Sequence, residues 1–446
     1  MKLLFIIPEY PPGFGGGIAT FYATLLPALV KQGLSVTAVV GSALAAGPIA
    51  YTDQGVEVIP LDQTRVTRLT GRFTSFALAP DFSCHLAAAW TAWEQTNGGR
   101  GFDCVECCDW GLSFVPWLTQ SGAPPTRVRL HASAGQIALW EPQPGFALTE
   151  SLFQLAETLL LPYAAELVTF GQGNQQWWRS RLNTTVAHLN PAFTPPAPTE
   201  RRPQTPNALV VGRIQSWKGP DTLCRALTEL GSAAPQCDWI GRSTVGPDGR
   251  DTTARLTEQF PEIWGHRVRP LDPLPPIEIR QRQASASFVI VPSDWDVFNF
   301  TAVEAMSAHA LVICSSGAGA SSLIQHGVNG FAFPSGDHGA LAEAIRTIHR
   351  LSPEERQRIG QAAHDTVTDA LLPEKIAHLE IAHLQSIVTG PRRANQGAEL
   401  NSIFAPVELK KEIPGQLACS GLSRIPLAAL CRHVVSRISQ RLLGKP

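Results

Sequence analysis

The sequence predicts an α/β protein made of two parallel-sheet domains that face each other across a cleft. Three observations predict it. The chain has 446 residues, more than a single hydrophobic core usually serves. Strand-length apolar runs alternate with helical patterns in both halves, the signature of parallel sheets joined by helical crossovers. Between the halves, residues 191–206 are rich in proline and have almost no periodicity, as an interdomain linker does.

The first half opens with a strand at 3–7, followed by a loop of Gly and Pro at 8–17. A helix then carries Ile18, Phe21, Leu25, Leu26 and Leu29 on one face and stops at Gly33. Further strands are expected at 34–40, 56–60, 104–107, 128–131 and 167–170. Beyond the linker the series restarts, with strands at 208–211, 237–241, 288–291, 311–314 and 331–333. Helices are expected at 221–230, 252–260, 301–308 and 337–351. Ser352-Pro353-Glu354-Glu355 marks another helix start, with an N-cap, a first-turn proline and acids against the dipole. The expected domains are 1–195 and 205–388, followed over 389–446 by an irregular segment without periodicity and a basic amphipathic C-terminal helix. Ligands in such proteins bind at the carboxyl ends of the strands, in the cleft.

Bulk composition excludes several classes. Hydrophobic residues make up 44% and charged residues 16%, and 36 basic residues against 37 acidic ones leave a net charge of -1. That balance gives no pull toward nucleic acid. The nine cysteines form no recognisable framework. Cys104, Cys107 and Cys108 resemble half a zinc site with no matching second pair, so they read as buried thiols. Unpaired cysteines suit a reducing compartment, the cytoplasm. The apolar start ends at Pro8-Glu9, too early for a signal peptide, and no run is long enough to span a membrane.

Four places can do chemistry. In residues 292–304 a buried strand runs into a short loop and a helix starts near Asn299. Free amides and the helix dipole there favour phosphate or sugar oxygens. Asp296 and Glu304 can both point at one ligand, and carboxylates accept sugar hydroxyls well. The bland reading makes Asp296 a cap and Glu304 a solvated helix residue. Second, Gly212-Arg213 and Lys218-Gly219 follow the first strand of the second half, where two cations can embrace a diphosphate. Third, the glycine loop Gly15, Gly16, Gly17 lets backbone approach a ligand. It lacks the third glycine of the dinucleotide fingerprint, which argues against a nicotinamide enzyme. Fourth, His131 ends a strand facing the cleft, with Glu106 and Asp109 ending the strand before it. Asp294-Trp295-Asp296 fits a D-x-D metal motif, but that motif belongs to a different single-domain fold, so no metal is expected.

With these residues the chain resembles a GT-B-fold, family-four retaining glycosyltransferase over about 1–388. The resemblance implies two Rossmann-like domains with parallel sheets facing a central cleft. It rests on Gly212-Arg213…Lys218-Gly219, on Pro292-Ser293…Asp296-Val297-Phe298-Asn299, on Glu304-Ala305-Met306 and on Asn329-Gly330-Phe331. By that resemblance Arg213 and Lys218 contact the donor diphosphate, Glu304 holds ribose hydroxyls and Asp296 meets the donor sugar. Phe298, Asn299, Gly212 and Gly319 complete the donor site. The Gly15–Gly17 loop and His131 lie on the phosphate or acceptor side. Phe102-Asp103-Cys104-Val105-Glu106 and Asp109-Trp110 match the family segment preceding that histidine. The implied reaction takes a nucleotide-diphosphate sugar to an acceptor hydroxyl with retained configuration, without metal or cofactor. The acceptor is left open among glycans, lipid-linked acceptors and small molecules.

The sequence departs from the family pattern at Asp296, where a Glu is usual, and at Asn299, where a glycine is usual. Ala318-Gly319 replaces paired glycines, Ser322 replaces an acid and His309 a small residue. These departures leave two other readings open, a catalytically silent sugar-nucleotide-binding protein and a nucleotide-sugar epimerase. In the tail, 424–445 has apolar residues at helical spacing, five cations and no acid. It reads either as a peripheral helix on the inner face of an anionic membrane or as a helix packed on the body or a partner.

Overall fold

The structure is a computed structural model that describes residues 1–12, 16–143, 145, 147–195, 205–390 and 396–407, with positions 427, 431, 434 and 435 beyond them. The expected basic helix of the tail falls almost wholly outside the described residues, and Gly15 also lies outside them.

The first sheet comprises β1 (Lys2–Ile7), β2 (Ser35–Val40), β3 (Tyr51–Asp53), β4 (Val56–Pro60), β5 (Cys104–Cys108), β6 (Thr126–Leu130), β7 (Glu166–Thr169) and β8 (Ala187–His188). Its order is β3-β4-β2-β1-β5-β6-β7-β8, and only the β3–β4 pair is antiparallel. Leu3 lies opposite Val36 on one side and Cys104 on the other. Leu3, Leu4, Phe5, Ile6 and Ile7 are all buried, because helices cover both faces of a parallel sheet. The second sheet comprises β9 (Ala208–Val211), β10 (Cys237–Ile240), β11 (Val268–Leu271), β12 (Phe288–Val291), β13 (Val312–Ser315) and β14 (Phe331–Phe333). It is parallel throughout, in the order β11-β10-β9-β12-β13-β14. Strand order reverses between β1 and β5 and between β9 and β12, and such switch points open crevices at the carboxyl ends.

Cys104, Cys107 and Cys108 are buried thiols within β5. The short edge strand β3 has no apolar run of its own, so its pattern did not predict it.

Two segments near the end return to the first domain. Helix Pro373–Thr389 packs on helix Gly17–Lys31 and inserts Glu380 into a buried charge cluster. There Glu380 receives Arg129 Nη2 at 2.9 Å and Arg127 Nη1 at 2.8 Å. Both guanidiniums also hold Glu106, with Nε–O distances of 2.7 Å. Burial alone would raise Glu106, but the two guanidiniums hold its carboxyl down to about 2. Residues 396–407 were expected to lack regular structure. They instead form the turns Gln396–Leu400 and Asn401–Phe404. Phe404 is buried beside Phe76, and its carbonyl accepts Trp90 Nε1 at 2.8 Å. One buried aromatic ring and one satisfied backbone group anchor a segment too short to show periodicity.

The domains meet on an apolar floor. Phe170 of the first domain lies 6.2 Å from Phe298, and Phe193 lies 6.5 Å from Phe300. At Gly171 and Gly319 the two backbones approach so closely that a Cβ on either would strike the Val297 carbonyl.

Candidate active site

On the second-domain wall, the turn after β9 places Arg213 and Lys218 beside the loop after β12. Gly212 has φ +145° and Gly219 has φ +75°, values that favour glycine. A Cβ on Gly219 would also collide with the Pro292 carbonyl, so the two loops are in backbone contact. Trp217 O then accepts the amides of Asp294 and Trp295 at 2.9 and 3.3 Å. These bonds bring the Lys218 ammonium within 2.5 Å of Asp296 Oδ2, over the face of Trp217. Asn299 is the N-cap residue of helix Phe300–Ser307 with φ 80°, a left-handed conformation that asparagine tolerates better than most residues. Its Nδ2 donates to the same Asp296 oxygen at 2.9 Å. Asp296 therefore does not cap the helix; it joins Lys218 and Asn299 in one cluster.

Glu304 lies on the inner side of that helix. Burial raises its carboxyl above the usual range, and Gln283 Nε2 lies 3.4 Å from its Oε2. The Arg280 charge works against that rise. Arg213 is exposed in the cleft and feels the carboxylates of Glu141, Asp296 and Glu9. Phe298 and Gly319, expected in the donor site, are placed in the floor between the domains. The Phe298 ring is buried against Phe170 and Phe300, and its carbonyl accepts the Ala320 amide at 2.7 Å.

On the first-domain wall, Gly17 sits where a Cβ would touch the Phe300 ring at 3.3 Å. The glycine loop thus faces the start of the helix that follows Asn299. Gly16 N donates to Glu9 Oε2 at 2.7 Å. His131 follows β6, with its amide held by Asp109 Oδ1 at 2.9 Å. Tyr22 donates its only proton to Glu106, 2.9 Å away. The His131 Nε2 at 3.2 Å from the same hydroxyl must then be the donor, which leaves Nδ1 as an acceptor. Burial, then the Arg129 charge, pushes this imidazole down to about 3, so it is neutral at pH 7. Behind it, burial pushes Asp109 up to about 7 and Glu157 up to about 8.

Sequence reading missed three residues of the cleft. Glu141 is buried and crosses between domains, accepting Gln215 Nε2 at 2.9 Å, Trp217 Nε1 at 3.1 Å and Ser216 Oγ at 3.2 Å. Next to it Trp140 stacks on Trp295 with centroids 5.5 Å apart. Nothing local in Trp140-Glu141-Pro142 marks a clasp. Glu9 had a usable signal, since it directly follows the first strand.

The family described as "Glycosyl transferases group 1" matches residues 196–366, which contain β9 to β14 and the whole second-domain wall. The second domain belongs to the group 1 glycosyl transferases. Among curated relatives, a D-inositol 3-phosphate glycosyltransferase of Corynebacterium diphtheriae is 32% identical over 155 residues, 34% of this chain and 36% of that protein. The enzyme of the same name from Xylanimonas cellulosilytica is 32% identical over 221 residues, 45% of this chain and 48% of that protein. The chain thus spans about a third to a half of the length of the curated relatives it matches. Solved structures extend the likeness to both domains. Sucrose-phosphate synthase from Thermosynechococcus elongatus superposes with TM-score 0.68 at 19% identity, over 86% of this chain and 98% of that one. Anabaena HepE in complex with UDP-glucose gives TM-score 0.58 at 17% identity, over 86% and 100%. The group 1 domain is therefore the second half of a GT-B fold.

Proposed function

We propose that the protein transfers a sugar from a nucleotide-diphosphate donor to an acceptor hydroxyl, with retained configuration and without a metal. The observation that carries this reading is the meeting of Arg213, Lys218, Asp296, Asn299 and Glu304 on one wall, opposite Gly16, Gly17 and His131. The complexes of HepE with UDP and with UDP-glucose support a nucleotide-sugar donor. Arg213 and Lys218 face the diphosphate, and Glu304 takes the ribose hydroxyls. His131 Nδ1 accepts from a hydroxyl of the transferred sugar, and Asp296 contacts the same sugar. The bond between the anomeric carbon and the phosphate oxygen breaks as the acceptor oxygen attacks from the same face. The acceptor proton passes to the leaving diphosphate, whose growing charge the two cations offset. Glu141 keeps the domains closed over these events, excluding water.

Asp296 is one methylene shorter than a glutamate and is already engaged by Lys218 and Asn299. That engagement favours, as a second reading, a protein that binds the donor without turnover. The unpaired thiols support a cytoplasmic setting.

Both readings meet one experiment. Incubation with UDP- and GDP-sugars should release nucleoside diphosphate slowly even without acceptor. Arg213→Ala and Lys218→Ala should each lower that release about 10²-fold with an unchanged circular dichroism spectrum. Donor binding without release, across a broad acceptor panel, would establish the silent reading. Full release in both variants would remove the diphosphate site from this wall.

A further inference from the structure

We infer that the acceptor is an uncharged hydroxyl compound, such as a polyol, sugar or glycan end, and not a phosphorylated one. The inference rests on the donor reading above and names the substrate class of the opposite wall.

Its first support is the charge of that wall. The segments leaving the carboxyl ends of β1, β2, β4, β5, β6 and β7 contribute Glu9, Asp62 and Asp109 as their charged residues, and no Lys or Arg up to the helices that follow. Arg65, in the helix that follows β4, already faces Asp62 at 3.9 Å and Glu94 at 3.5 Å. Arg127 and Arg129 are committed to Glu106 and Glu380 beneath the sheet. Among the described residues, the strand-end segments on this side offer a phosphate group no guanidinium or ammonium of their own.

A phosphate can also be held by helix-start amides, and here the protein's own acids already take an amide at several of those places. Glu9 accepts Gly16 N before helix Gly17–Lys31. Asp62 accepts Arg65 N at 3.0 Å. Glu157 accepts Gly135 N at 2.8 Å, while Ser133 Oγ accepts Gln136 N at 3.1 Å. The start of helix Gln172–Leu182 is covered by the second domain, since a Cβ on Gly171 would strike the Val297 carbonyl. An incoming dianion would have to compete with a carboxyl at three of these starts, while helix Val115–Thr119 after β5 has no side-chain cap.

What the wall offers instead suits a neutral ring. The crevice at the β1/β5 switch point is lined mostly by apolar groups, Ile7, Val39 and Ala89 among them, with Ser42, His85 and Trp110 on its polar side. Its volume of about 20 Å³ admits one hydroxyl-sized group. Burial pushes His85 down to about 4, so it is neutral at pH 7. The half-buried Trp110 stands edge-on to it, with centroids 5.4 Å apart. Leu44 and Ile49, in the loop after β2, are exposed. Indole and aliphatic surfaces match the C–H face of a sugar, and the Ser42 hydroxyl, whose oxygen accepts the Leu44 and Ala45 amides, keeps its own proton to donate.

The test uses full-length protein saturated with whichever of UDP or GDP raises its melting temperature. Paired probes are then compared: myo-inositol with inositol 3-phosphate, and glucose with glucose 6-phosphate. The neutral member of at least one pair should stabilise the protein further, and should exceed its phosphorylated partner about tenfold in kcat/KM with the matching donor. Greater stabilisation or faster use of a phosphorylated member would overturn the inference while leaving the donor site standing. Failure of every nucleoside diphosphate to bind would instead remove the donor reading. In Glu9→Gln the phosphorylated members should gain several-fold in use. A ratio identical to that of the unaltered protein would overturn the assignment of Glu9 as the group filling that helix start.

Discussion

The two walls of the cleft are made of the same parts, strand ends followed by helix starts, yet among the described residues only the second-domain wall carries cations at those strand ends. The second-domain wall presents Arg213, Lys218 and, one strand further along, Arg242. The first-domain wall turns Glu9, Asp62 and Glu157 onto its own helix-start amides and keeps its strand arginines buried in ion pairs. The same local architecture can thus bind an anion or refuse one. The choice is made by whether a protein carboxyl already occupies the amides, and by where the nearest guanidinium is committed. On the proposed reading, a diphosphate donor and an uncharged acceptor sort to opposite walls by that difference.

The comparison can be broken most severely at the buried arginines. Arg129→Met would leave Glu106 and Glu380 without their shared partner. Loss of one member of a buried pair costs about 3–5 kcal/mol, to be read as a lower urea midpoint. An unchanged midpoint would mean that the cluster does not anchor helix Pro373–Thr389. Next in size is Lys218→Ala, whose loss of turnover of about 10²-fold corresponds to roughly 3 kcal/mol of transition-state stabilisation. Glu9→Gln, on the opposite wall, should alter turnover with a neutral acceptor only several-fold. Comparable losses on both walls would erase the distinction between them.

A smaller effect is expected at the clasp. Glu141→Ala leaves the buried Gln215 and Trp217 donors without their acceptor, at a cost of about 1–3 kcal/mol. The domains should also open more often, which small-angle scattering would report as a larger radius of gyration. An unaltered radius and midpoint would mean that closure rests on the apolar floor alone.

The smallest effect is pH-dependent. Burial raises the folded Glu157 carboxyl from its ordinary 4.5 to about 8. The folded state therefore binds a proton that the unfolded chain releases. Its contribution is complete below about 4.5 and is lost as pH rises toward 8. Glu157→Gln should flatten the fall in melting temperature across that window. A slope identical to that of the unaltered protein would assign the fall to other groups, Asp109 first among them.

Much of the fold was legible because parallel strands buried on both faces read as continuous apolar runs. Leu3 to Ile7 and Phe288 to Val291 are examples. The second-domain wall was legible for a related reason. Gly212, Lys218 and Asp296 lie close to strand ends, so locating the strands located the residues. Asn299 was also visible as an oddity, and its left-handed φ explains why glycine would suit the position. What the sequence hid were partners. Arg129 and Glu380 are separated by 251 positions, and periodicity reports that a face is buried without reporting against what. Glu141 sits in an irregular stretch with no pattern to break. Phe298 lay within a motif, but its ring serves the floor between domains, a distinction that only packing reveals.

The central claim, that the second-domain wall holds the nucleoside diphosphate, is tested most directly by calorimetric titration. UDP and GDP should be titrated into the unaltered protein and into Arg213→Ala, Lys218→Ala and Glu9→Gln. The account predicts saturable binding of one nucleotide, weakened about tenfold or more in each cation variant and retained in Glu9→Gln. Equal affinity in all four proteins would contradict it.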